Sequence, residues 1–110
     1  MNYCDIVDRL KKQHVLTFPH VHRRVLRRAL KCYSDSLLDF NDEMSQWQVE
    51  EIQECGSLYT SFWKGAGAYN LNGGDLNLMV IALNYYAEQL ASESLDCEHT
   101  LDVLDFIESL

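Results

Sequence analysis

Residues 19–40 read PHVHRRVLRRALKCYSDSLLDF, and their spacing decides the fold class. Val25, Leu26, Ala29, Leu30, Tyr33, Leu37 and Phe40 recur at intervals that set one apolar stripe along an α-helix. Arg23, Arg27 and Lys31 fall at i, i+4 and i+8, with Arg24 and Arg28 beside them, on what this period makes the opposite, solvent side. Pro19 suits the first turn, where its missing N–H would have been unpaired in any case.

Working outward, a second helix is expected over about 45–63. Trp47, Ile52, Cys55, Tyr59 and Phe62 keep the helical period, and Ser45 with Gln48 has capping-box spacing. Glu50 and Glu51 lie in its early turns, where the helix dipole favours negative charge. Gly56 costs this helix about 1 kcal/mol relative to alanine, which predicts a close helix–helix contact there. Residues 64–74, KGAGAYNLNGG, hold four of the five glycines and read as a long loop. Asp75 is placed to cap a third helix over about 76–92. That segment is apolar on nearly every side (Leu76, Leu78, Met79, Val80, Ile81, Ala82, Leu83, Tyr86, Leu90), so it is expected at the centre of the bundle. A fourth helix, about 97–109 and capped by Asp96, turns Leu101, Leu104 and Ile107 inward, with Val103 and Phe106 close by. Ahead of all four, Tyr3, Ile6, Val7 and Leu10 suggest a short helix over 3–13, whereas 14–18 carries no clear pattern.

The expected architecture is therefore all-α: a compact bundle of four main helices plus a short N-terminal one, in a single domain over 1–110. Ala29, Leu30, Tyr33, Asp35 and Leu37 match Ala82, Leu83, Tyr86, Glu88 and Leu90 at a constant offset. This match is compatible with a duplicated helical hairpin, two copies of which would bury each other's apolar faces.

Charge is divided along the chain. Residues 1–32 hold eight bases and two acids, whereas 33–110 hold fifteen acids and one base, Lys64, within a net charge of −8. No apolar run approaches the roughly 20 residues of a membrane span, and charge by the fifth residue is unlike a signal peptide. These features, with four cysteines and no CxxC pair, predict a cytoplasmic protein with buried free thiols.

The acids suggest the function. Glu98, Asp102 and Asp105 fall at i, i+4 and i+7 on one helical face, and Glu50 and Glu54 sit on another helix. Such a surface steers a basic partner toward it. Trp63 and Tyr69 flank the glycine-rich stretch as candidate interface anchors. The expected function is a non-enzymatic protein-binding module of regulator or inhibitor type, docking on a basic protein surface and compatible with a homodimer. The alternative is a nucleic-acid-associated protein using Arg23, Arg24, Arg27, Arg28 and Lys31, five cations within nine residues. A third reading, an enzyme with a site between helices, would need a polar pocket containing a histidine. His20 with His22 and Cys97 with His99 stand two residues apart, which a helix turns to different sides, so no metal or other cofactor is expected. The Asn70–Asp75 segment has oxygen donors and glycines but lacks the ordered ladder and distal Glu of a calcium loop.

Overall fold

The computed structural model describes residues 13–38, 46–64 and 68–110. In chain order these form β1 (Gln13–Leu16), α1 (His20–Leu38), α2 (Gln46–Lys64), β2 (Tyr69–Asn72), α3 (Gly73–Ser92) and α4 (Glu98–Glu108). The protein is mostly helical, with four helices and one small two-stranded sheet among the described residues. The expected helix over 3–13 and the cap at Ser45 lie outside these residues, apart from Gln13, which opens β1.

The sheet corrects the all-α expectation. β1 pairs antiparallel with β2 in the register Gln13 with Asn72 through Leu16 with Tyr69. β2 lies inside the glycine-rich stretch expected to be a loop. Its alternation of buried Tyr69 and Leu71 with exposed Asn70 and half-buried Asn72 is the two-residue period of a half-buried strand. Tyr69 explains why the segment is held. Its ring lies 4.9 Å from Phe62 and 6.2 Å from Phe18, and Phe18 packs edge-on against both Phe62 and Phe106. This aromatic cluster ties the link between β1 and α1, the end of α2, β2 and α4 together, each pair adding about 0.5–1.5 kcal/mol beyond area burial.

The stripe on α1 points inward as its spacing requires: Leu26, Ala29, Leu30 and Leu37 are buried, and Val25 and Tyr33 pack against the core from its edge. The helix starts directly after Pro19, whose carbonyl accepts the Arg23 N–H at 3.0 Å. The centre of the bundle is α1, which packs against α2, α3 and α4, rather than α3 as the hydropathy of the latter suggested. In α3 the buried residues Leu76, Leu78, Met79, Ala82 and Leu83 all precede Asn84, and Ile81 is exposed. Ala29–Leu30 and Ala82–Leu83 are alike in full burial, so the shared motif marks the core-facing turns of α1 and α3.

Several local expectations shift. Asn72, not Asp75, is the N-cap of α3. Its side chain accepts the Asp75 N–H at 2.8 Å, and the Asp75 carboxylate accepts the Asn72 N–H at 3.1 Å, closing a capping box. Asp96 accepts the Glu98 N–H at 2.9 Å, one position ahead of the N-cap Cys97. In α4, Val103, Leu104 and Ile107 face the core, while Leu101, expected inward, is 46% exposed. Trp47 also stands outside the core. Gly56 makes no close helix contact: a Cβ placed on it would meet no atom within 4 Å. Of the cysteines described, only Cys55 is buried; Cys32 and Cys97 are half-exposed thiols. Among the described residues, no helix is long and apolar enough to cross a membrane.

Candidate functional site

The outer side of α2 carries Glu50, Gln53, Glu54, Ser57, Leu58 and Ser61, spaced so that a helix sets them in one strip. Across from this strip stand Tyr69, Asn70 and Leu71 of β2 and Asp75 of α3, and between the two sides lies a groove of about 470 Å³. Its lining divides by chemistry. Leu58, Tyr69 and Leu71 are buried apolar groups, whereas Glu50, Gln53, Glu54, Ser57 and Ser61 are exposed.

The groove is negative without compensation. Glu50 and Glu54 are one turn apart, a spacing at which like charges repel by a few tenths of a kcal/mol. Among the described residues neither pairs with a cation; Glu50 only accepts a hydrogen bond from the Gln46 side chain at 3.3 Å. Asp75 is held differently, since its carboxylate takes part in the capping box at the positive end of α3. The Ser61 hydroxyl donates to the Ser57 carbonyl at 3.0 Å, which leaves its oxygen available as an acceptor. The Tyr69 hydroxyl is buried and has no hydrogen-bond partner among the described residues.

The structure thus brings Glu50, Glu54 and Tyr69 to one groove and separates the other expected contact residues from it. Tyr69 is only 7% exposed, so it contributes to the wall rather than standing free as an anchor. Glu98, Asp102 and Asp105 are exposed on α4, which packs on α1 and α3 and adds nothing to the groove lining. Trp63 is 61% exposed but lies among cations, not acids. Sequence reasoning missed Asp75 as a groove residue, because its spacing marked it only as a helix cap. The approach of β2 to α2 is what makes it part of the groove.

On a different face of α2, Tyr59 and Trp63 join Arg24, Arg27, Arg28 and Lys31 of α1 around a cleft of about 320 Å³. Arg27 departs from the expected solvent side. It is 9% exposed, its guanidinium lies 4.0 Å from the Trp63 ring centroid, and Nη1 donates to the Phe62 carbonyl at 3.2 Å. That carbonyl belongs to the last described turn of α2, where the helix dipole favours a cation. Arg23 is half-buried and does not line this cleft.

Between α1 and α2 the Tyr33 hydroxyl donates to Glu51 at 3.0 Å. Burial, together with this bond to a carboxylate, pushes the Tyr33 hydroxyl up to about 12. Burial also raises the Cys55 thiol to about 11, helped by the charges of Glu51 and Glu54. Both groups are therefore neutral over the physiological range, and Cys55 is a poor nucleophile there. Among the described residues, no group of three or more His, Cys, Asp and Glu side chains is arranged to hold a metal ion.

No family model, no curated protein and no solved structure matches the chain.

Proposed function

We propose that this protein is a non-enzymatic binding module, of regulator or inhibitor type, that docks on a partner protein with a basic surface. The groove between α2 and β2 receives a lysine or arginine side chain of that partner. One observation carries this reading: an apolar wall of Leu58, Tyr69 and Leu71 lies below a rim holding Glu50, Glu54 and Asp75, with no cation among the lining residues. A long basic side chain has the same division, an aliphatic stem that gains from leaving water and a charged head that needs acceptors. A cation near Glu50 and Glu54 also relieves their mutual repulsion. The exposed acids of α4, Glu98, Asp102 and Asp105, add to the field that draws a basic surface in, which raises the association rate more than the affinity.

The test is calorimetric titration of the intact protein with an oligoarginine peptide, in parallel with two variants of equal charge. Glu50→Gln/Glu54→Gln is expected to weaken binding roughly tenfold, equivalent to about 1.4 kcal/mol. Glu98→Gln/Asp102→Asn removes the same charge outside the groove and is expected to have a much smaller effect. Equal losses in both variants would reduce the interaction to bulk electrostatics and defeat the proposal, as would the absence of binding at low salt.

A further inference from the structure

The geometry points to the cleft between α1 and α2 as a binding site for single-stranded nucleic acid, with Trp63 as the stacking platform and Arg24 and Arg28 as phosphate contacts. The cleft lies on a different face of α2 from the acidic groove and shares no lining residue with it, so this inference stands apart from the proposed function.

The aromatic part is fixed in place. The Arg27 guanidinium covers the Trp63 ring at 4.0 Å and is itself tied to the Phe62 carbonyl, while Tyr59 packs edge-on against the indole with centroids 6.2 Å apart. Even so, Trp63 remains 61% exposed. A large aromatic ring braced by these two contacts, yet still more than half open to water, loses less entropy than a free side chain when a flat partner stacks on it. Base–aromatic stacking of this kind is tolerant of sequence because every base has a π-face.

The cations are available. Arg24 and Arg28 are exposed, and neither pairs with a carboxylate among the described residues. They stand one turn apart on α1, about 6 Å along the axis, a separation comparable to that of successive phosphates on an extended strand. Lys31 pairs with Asp35 at 3.7 Å, but both side chains are more than half exposed, so that pair is weak and easily exchanged for a phosphate.

The combination favours a single strand over the other anionic occupants. A duplex keeps its base faces stacked internally and cannot use Trp63. It also brings a higher charge density toward a protein of net charge −8. An acidic peptide can pair with Arg24 and Arg28 but offers no flat ring to the indole.

The experiment uses the full chain carrying Trp47→Phe, so that emission reports Trp63 alone. It is titrated with oligothymidylate and oligouridylate of roughly ten nucleotides at about 50 mM salt. Both are expected to quench the emission. The affinity should fall with salt at a log–log slope between about −1.4 and −2.1, the value for two or three phosphates on a single strand. Arg24→Gln/Arg28→Gln, at exposed positions whose variants should retain the far-ultraviolet spectrum, is expected to bind at least about tenfold more weakly and with a shallower slope. No quenching by either oligonucleotide would overturn the assignment. So would unchanged binding in the double variant, or equal affinity for a duplex of the same length or for oligoglutamate.

Discussion

Replacing Gly56 by alanine should stabilise the protein, and the sign of the change tests the packing of α1 on α2. Gly56 lies inside α2 and borders the opening that α2 shares with Leu30, Lys31, Ser34 and Asp35 of α1. A Cβ built there meets no atom within 4 Å, and no glycine among the described residues has a positive φ. The substitution therefore adds no clash and no backbone strain. What remains is the helix preference of alanine over glycine, between about 0.5 and 1 kcal/mol, part of it arising from a less flexible unfolded chain. With an unfolding entropy near 2.1 cal/mol/K per residue, a chain of 110 residues gains roughly 2–4 °C in Tm. Thermal unfolding followed by far-ultraviolet circular dichroism reads this directly. Gly74→Ala is the internal control, because its Cβ would lie 3.2 Å from Oδ1 of Asn72, the atom that accepts the Asp75 N–H in the capping box. It should gain less than Gly56→Ala or lose stability. Had Gly56 marked a close helix contact, alanine would overpack it at a cost of about 1–3 kcal/mol. A lower Tm for Gly56→Ala would therefore refute the open spacing of the two helices at this point.

Two further outcomes follow from the joint between α1 and α2. Arg27→Lys should cost about 1–3 kcal/mol in urea unfolding, because lysine lacks the planar fork that both donates to the Phe62 carbonyl and sits over Trp63; a loss below about 0.5 kcal/mol would mean the guanidinium geometry is immaterial. Stability should also decline in alkali. The Cys55 thiol and Tyr33 hydroxyl hold their protons to about 11 and about 12 in the folded state, whereas the unfolded chain releases them near 8.5 and 10. Between those limits the folded state binds more protons, so the contribution is complete below the unfolded values and is lost as pH rises through the folded ones. Urea midpoints measured across that window should fall, and Tyr33→Phe should flatten the upper part of the decline; a flat profile for the unsubstituted protein would contradict the burial of both groups.

The four helices were legible because each carries its period within itself. The stripe from Val25 to Leu37, the acids early in α2 and the unbroken hydropathy of α3 need no distant partner to be recognised. The sheet was not legible in the same way. Four-residue strands are set by pairing across the chain, and the pairing of Leu16 with Tyr69 becomes favourable only once Phe18, Phe62 and Tyr69 are gathered in the core. The candidate groove was half visible. Glu50 and Glu54 share a helix face by spacing alone, while Asp75 and Tyr69 join them only because β2 is drawn against α2.

By itself, then, the sequence determined where helices form, which way α1 turns its leucines and how charge is divided between the two ends of the chain, since all three depend on residues within a few turns of one another. Only the tertiary structure decided that Arg27 goes inward while Arg24 and Arg28 stay in water, that Trp63 sits among cations and Tyr69 in the core, and that Gly56 borders open space. Burial is a property of what lies opposite, and a residue's own neighbours in sequence do not specify it. For Arg27 the deciding partners were a carbonyl at the end of α2 and an indole one residue beyond it. They make a nearly buried guanidinium favourable where the helical period alone assigned it to solvent.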